Sequence, residues 1–182
     1  MQNKTLILLA HPDIKNSRIN KALCEGAKAN SKLTIHDIYA TYPTWDIDIE
    51  KEQSLLKEYS NIIFQFPIFW YSCPPFLKKY LDEVFAYGFA YGSSGTALQD
   101  KKFALAVSFG DHKESFESNS RIGFSVESIL TPFQATFRFI GGTYVGHFTT
   151  FEAMPIEDGG ISEEALTKRV EKYKRFLERF CS

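Results

Sequence analysis

Two short stretches carry side chains whose types and spacing suit ligand chemistry. The first reads His11-Pro12-Asp13-Ile14-Lys15-Asn16-Ser17-Arg18-Ile19-Asn20 and leads from an apolar run into a candidate helix. A helix start presents unpaired N–H groups and the positive end of the helix dipole, so an anion such as phosphate is favoured there. Ser17 and Asn20 can add side-chain hydrogen bonds, and His11 can contact the same anion. Ser17 also has a structural use as the helix N-cap, and a loop histidine can be merely exposed. The second stretch reads Gln65-Phe66-Pro67-Ile68-Phe69-Trp70-Tyr71-Ser72-Cys73-Pro74-Pro75. A turn this rich in proline and aromatics can hold a flat ring between backbone groups at its edge and Phe69 or Trp70 at its face. It can equally serve to cover the end of a sheet.

Elements that would position these stretches follow from the apolar pattern. Thr5 to Ala10 is a continuous apolar run, as expected for a strand covered on both faces. Ser17 opens a helix with Ile19, Leu23 and Ala27 at helical spacing, ending near Asn30. Strands are expected at Leu33 to Ile38, Asn61 to Phe66, Phe103 to Phe109 and Thr143 to Thr150. Helices are expected from about Ile49 to Tyr59, after Pro74-Pro75, around Pro132 up to Gly141-Gly142, and after Ser162. Tyr42 to Trp45 reads as an irregular connection. Strands alternating with helices call for a single α/β domain over residues 1–182, a flavodoxin-like three-layer sandwich with a five-stranded parallel sheet in the order 2-1-3-4-5. Ligands of such sheets bind outside the carboxyl ends of the strands, at the switch point. That places the loops after Ala10, Phe66 and Val107 together, the last containing Ser108-Phe109-Gly110-Asp111 and His112.

Absent patterns narrow the chemistry. No G-x-G-x-x-G follows the first strand and no G-x-x-x-x-G-K-[ST] occurs, which disfavours Rossmann dinucleotide and P-loop sites. A phospho-receiver would need carboxylates after the first strand and at the end of the third, and the third ends in Phe66-Pro67. The 21 basic and 22 acidic side chains give a net charge of -1 without long runs, so nucleic acid is not an expected partner. Three cysteines, Cys24, Cys73 and Cys181, form no C-x-x-C pair and read as free thiols with no metal site. The first apolar run is too short for a signal peptide or a spanning helix, so a cytoplasmic protein without direct membrane insertion is expected. The basic residues between Lys168 and Arg179 read as a solvated helix face.

The pattern H-P-x-x-x-x-S-x-x-N in the first loop, the stretch from Phe66 to Lys78, then Asp82-Glu83-Val84-Phe85 and Gly88-Phe89-Ala90-Tyr91-Gly92 resemble the NAD(P)H:quinone oxidoreductase family. Within it the chain is similar to the small bacterial branch of general stress proteins and ancillary flavoproteins of glutathione-gated potassium efflux. The resemblance implies FMN or FAD as cofactor, NADPH or NADH as donor, a quinone-like acceptor, a homodimer, and an exchange in which nicotinamide leaves before the acceptor enters. Carried over by position, His11 and Ser17, Arg18, Ile19 and Asn20 hold the flavin phosphate. Ile68, Phe69, Trp70 and Tyr71 hold the ring, and Ser108, Phe109, Gly110 and Asp111 line its other edge. This chain departs from the family at that third loop, where many relatives read Thr-Thr-Gly-Gly. A carboxylate at Asp111 beside a ring that gains negative charge opposes reduction. The Tyr and His that support the reduced ring in quinone reductases align with Phe116 and Ile122, leaving His112 as the candidate catalytic substitute. A second reading therefore stands beside the enzyme: a regulatory subunit, weakly catalytic or inert, that docks peripherally on a membrane antiporter.

Overall fold

The computed structural model describes residues 4–117 and 119–181. Five parallel strands, β1 (Thr5–Leu9), β2 (Leu33–Asp37), β3 (Asn61–Pro67), β4 (Lys102–Ser108) and β5 (Thr143–Thr150), form one sheet in the order β2-β1-β3-β4-β5. The order reverses between β1 and β3, which pair in register from Thr5–Asn61 to Leu9–Gln65. β1 and β3 are buried along their whole length, as the unbroken apolar runs require.

Alternation along each strand feeds two cores. Leu6, Leu8, Ile62, Phe64, Phe66, Leu105 and Val107 face one side and meet helices α3 (Ile49–Lys57), α4 (Pro75–Val84) and α5 (Val126–Phe139). Ile7, Ile63, Ala104, Ala106 and Phe148 face the other, against α1 (Arg18–Lys28) and α6 (Glu163–Cys181). The small residues Ala104 and Ala106 leave room there for Tyr173, which is fully buried. On the first face Phe103 stacks on Phe137 at 4.5 Å, and Phe64 on Phe137 at 5.5 Å.

The helices fall where apolar spacing and caps place them. Ser17 caps α1 by accepting the Asn20 N–H, and Asp48 and Ser125 cap α3 and α5 in the same way. Pro75 opens α4, whose Phe76, Leu77, Tyr80 and Val84 are buried, with Lys78–Asp82 and Lys79–Glu83 paired on its outer face. Three differences from the pattern reading have local causes. The sheet strand β2 ends at Asp37, because the Asp37 carboxylate accepts N–H groups of Tyr39 and Ala40 and starts a short helix α2 (Ile38–Thr41). α1 and α3 stop at Lys28 and Lys57, two residues before the expected ends. Arg169 is not on a solvated face: its guanidinium lies 4.1 Å from the centre of the Phe148 ring and is half-buried.

Candidate active site at the carboxyl end of the sheet

A cavity of about 570 Å³ opens where β1, β3, β4 and β5 end. One wall is the loop into α1, with His11, Asp13, Asn16, Ser17, Arg18, Ile19 and Asn20. Pro67, Phe69 and Ser108 close a second side, and residues 153–157 a third. The volume lies within the range of about 300–1,000 Å³ usual for cofactor sites.

The α1 end is built to receive an anion. Arg18 and Ile19 are the first helical residues, so their N–H groups lie outside the intrahelical ladder. The Ser17 hydroxyl accepts from Asn20 N–H at 3.2 Å, which leaves its own proton to donate. His11 is half-buried, and desolvation lowers its pKa against the opposing pull of Asp13 and Asp37. Its Nδ1 accepts the Asp13 N–H at 3.1 Å, and this bond assigns the proton of the neutral ring to Nε2, a free-standing donor type for a phosphate oxygen. The Asp13 carboxylate, in turn, is occupied by Asn16 through its Nδ2 at 2.7 Å and its backbone N–H at 3.3 Å.

Two members of the expected phosphate set hold the site together by other bonds. Asn20 is buried, and its Nδ2 donates to Ser108 Oγ at 2.9 Å, tying the first loop to the end of β4. Gln65 Nε2 donates to the Asn20 carbonyl at 3.1 Å, and Gln65 Oε1 accepts from Tyr173 at 3.0 Å, so a chain of buried polar groups underlies the cavity floor. Arg18 turns its guanidinium outward, donating to the Ile161 carbonyl at 2.8 Å and to Glu163 at 2.6 Å. Its contribution to an anion is therefore its backbone.

The second loop makes a two-residue turn. Phe69 and Ser72 exchange both backbone hydrogen bonds, at 2.9 and 3.0 Å, around Trp70 and Tyr71 with φ of 48° and 61°. Two left-handed residues in such a turn define the type I′ geometry that Asn-Gly adopts readily and bulky aromatics do not. Phe69 reaches the cavity, while Trp70 is 94% exposed and Tyr71 half exposed beside it. Ile68 packs against the core and donates its N–H to the Ser108 carbonyl at 2.8 Å.

In the third loop only Ser108 lines the cavity. The Phe109 side chain is buried, packed on Phe116 at 4.5 Å and Phe151 at 5.6 Å. That packing accounts for an apolar residue at position 116, and Ile122 likewise rests against the core. A Cβ on Gly110 would meet nothing within 4 Å, so crowding does not demand glycine there. Asp111 accepts the His112 N–H at 2.8 Å and pairs with Arg121 at 3.3 Å, and these partners, the amide first, keep its carboxyl below the usual range. His112 is exposed and pairs with Glu152 at 3.1 Å, which raises its pKa; it stands outside the cavity lining.

Residues 153–157 were not among the sequence candidates. Their loop is fastened to the third loop, with Ala153 N–H on the Phe109 carbonyl at 2.9 Å and Glu152 N–H on Asp111 at 3.1 Å. It closes through Gly160, where a Cβ would lie 1.9 Å from the Met154 carbonyl oxygen. Pro155 and Gly159-Gly160 after the fifth strand were the available signal. They mark a structured turn at the edge of the sheet where ligands bind. Cysteine chemistry has no place here: burial pushes the Cys24 thiol up to about 12 and raises Cys73 as well.

A parallel five-stranded sheet in this order, with a phosphate-ready helix start at its switch point, defines the flavodoxin-like class. The chain belongs to the family described as having a flavodoxin-like fold, whose sequence profile matches residues 3–177. It is 41% identical over 170 residues to general stress protein 14 of Bacillus subtilis (strain 168), covering 93% of this chain and 96% of that one. The uncharacterized NAD(P)H oxidoreductase YdeQ of the same organism is 41% identical, covering 89% of this chain and 82% of its own. The glutathione-regulated potassium-efflux system ancillary protein KefG of Serratia proteamaculans (strain 568) is 40% identical over 73% of each chain. Among solved structures, general stress protein 14 of Treponema denticola in complex with FMN superposes with a TM-score of 0.89 at 36% identity, over 97% of this chain and 99% of that one. A chain described as a thermophilic tryptophan halogenase from Streptomycin violaceusniger matches similarly, at 0.88 and 40% identity over 93% and 95%.

Proposed function

We propose that this chain is a flavin-dependent NAD(P)H:acceptor oxidoreductase that holds FMN, or FAD, at the carboxyl end of the sheet and passes electrons to a quinone-like acceptor. One observation carries the reading. A helix start with neutral His11 and the Ser17 hydroxyl runs, within a single cavity, into an apolar wall of Pro67, Phe69, Met154 and Ile156. A phosphate at one end and a flat ring at the other fit that division. The FMN-bound relative and the relatives named as NAD(P)H oxidoreductases support it. The halogenase description of one relative names another reaction, for which no residue of the cavity argues.

In this reading the Arg18 and Ile19 N–H groups, Ser17 Oγ and His11 Nε2 bind the phosphate, and the Asn20–Ser108 bond keeps the loops at the right separation. Phe69 and the Trp70–Tyr71 turn flank the ring. The flavin supplies the hydride chemistry when bound, and the protein supplies orientation and exclusion of water. Donor and acceptor occupy the same open side in turn. Asp111, held by Arg121 and the His112 amide, adds little adverse charge, and His112, paired with Glu152 outside the cavity lining, is the candidate proton source in this reading. Exposed Trp70, Tyr87, Phe124 and Phe139 favour a homodimer that covers them. No helix among the described residues is long and apolar enough to cross a membrane, and a cytoplasmic location belongs to the same reading.

The test is reconstitution with each flavin, followed by anaerobic spectroscopy. Bound FMN gives a yellow protein whose absorbance bleaches with NADPH or NADH and returns with menadione. Protein that stays colourless after exposure to both flavins overturns the assignment. The similarity to KefG favours a second reading, a non-catalytic or weakly catalytic regulatory subunit of a potassium efflux antiporter, whose role does not depend on turnover. Bleaching that no quinone reverses selects it.

A further inference from the structure

The edge strand β5 and the last helix leave between them a trough on the far side of the sheet edge from the flavin reading, and independent of it. Its cations are Arg169, Lys172, Arg175 and Arg179 of α6, with His147 of β5 beside them, over a floor made by Phe148 and Phe176. Glu178 is the acidic group among the described residues that line it. The space is about 600 Å³ and continues past His147, Phe176 and Arg179 into a further 360 Å³ bounded by Lys102, Val145 and Gly146.

Spacing makes this a track rather than a point. Arg169, Lys172, Phe176 and Arg179 recur at helical intervals on one face of α6. Ten residues of helix span about 15 Å, the length of roughly five residues of extended chain. Lysines that point elsewhere on this helix are paired: Lys168 with Glu164 at 2.5 Å and Lys174 with Glu171 at 2.7 Å. Arg169 is held in place, over the Phe148 ring and with Nε donating to Thr150 Oγ1 at 3.4 Å. His147 faces the Tyr144 hydroxyl at 2.9 Å and the Glu127 carboxylate at 3.9 Å, so the trough's positive charge rests on Arg169, Lys172 and Arg175. A chain with a net charge of -1 thus concentrates cations on one concave surface.

β5 pairs only with β4 among the described strands, which leaves its outer edge available to an extended chain. The edge is bulged: Phe103 pairs with Tyr144 and Leu105 with His147, so Val145 and Gly146, the latter at φ 125°, oppose Ala104 alone. The bulge interrupts pairing along this edge for any extended chain, so main-chain contacts are confined to the regular stretch 147–150. A concave track also suits a single chain better than a flat lipid surface. We propose that the trough is a docking site for an extended acidic segment of a partner protein, read by main-chain contacts to β5 and by the α6 cations.

A fluorescein-labelled octapeptide alternating Glu and Ser provides the probe, titrated into the purified full chain and followed by anisotropy. Saturable binding is expected, falling steeply between low salt and about 0.3 M. Lys172→Glu with Arg175→Glu weakens it about tenfold at unchanged melting temperature, Glu178→Lys strengthens it, and Lys28→Glu with Lys32→Glu on the opposite edge leaves it unaltered. Amide shift changes fall on β5 and α6. The proposal is overturned by no saturable binding, by indifference to the double reversal, or by shifts confined elsewhere. It is equally overturned if an RNA oligonucleotide or phosphatidylglycerol vesicles of equal charge bind the trough more tightly than the peptide. Flavin retention is read separately on the same samples, so the two readings fail independently.

Discussion

At the scale of single residues, the site divides side chains that can meet a ligand from those that hold the loops in place. His11 belongs to the first group, with Nε2 as the donor, and its removal separates phosphate recognition from ring recognition. His11→Ala is expected to weaken FMN about tenfold while riboflavin, which lacks the phosphate, binds as before; fluorescence quenching of both ligands measures this. Asn20 belongs to the second. Asn20→Ala leaves the buried Ser108 hydroxyl without its donor, while Gln65 Nε2 keeps the residue-20 carbonyl and Cys24 Sγ; about 1–3 kcal/mol of stability goes with the lost bond, seen as a lower urea midpoint. Both residues were legible as polar groups on the right loop. Their different tasks were not, because the Asn20–Ser108 bond joins positions 88 apart in sequence.

Among elements, the turn at Trp70–Tyr71 and the carboxylate of α3 make opposite bargains with stability. The turn keeps two aromatic residues in left-handed backbone, at a cost of order 1–3 kcal/mol each. Trp70→Asn with Tyr71→Gly relieves that cost, so melting temperature rises while flavin affinity falls; a fall in both would deny the turn its strain. Glu52 is fully buried on α3 and accepts from His36 of β2 at 3.0 Å, Tyr42 at 2.6 Å and Tyr80 of α4 at 2.9 Å. Burial alone raises its pKa, but the three donors, His36 first, bring it below the ordinary 4.5. A folded-state pKa below the unfolded one adds stability above pH 4.5 that is lost as pH falls through the folded value. Glu52→Gln is therefore expected to lower stability by roughly 3 kcal/mol near neutrality and to flatten its decline in acid, as followed by pH-dependent denaturation. Neither feature shows in sequence: positive φ at Trp70 contradicts its propensity, and Glu52 falls on the face of α3 that reads as polar.

For the whole molecule, the exposed aromatics and the basic trough lie on different surfaces and make separate predictions. Tyr91 and Phe139 pack at 5.6 Å with Tyr87 beside Tyr91, and Phe139 is 71% exposed. If this patch is the homodimer surface, Phe139→Asp yields a monomer by light scattering with the fold intact by circular dichroism. A variant that remains dimeric places the interface elsewhere. The basic trough on β5 and α6 is then available in either state.

Unbroken apolar runs, caps and turn residues determined the strands, the helices and the parallel order of the sheet, since these rest on local periodicity and on a topology with few alternatives. The same reasoning placed the first and second loops at the ligand edge. Tertiary structure alone decided which groups face inward there. It drew residues 153–157 over the cavity through hydrogen bonds to the third loop, turned Asp111 toward Arg121, buried Phe109 on Phe116, and laid Arg169 over Phe148. Each of these is a contact between segments distant in the chain, whose geometry exists only once the sheet has brought its strand ends together.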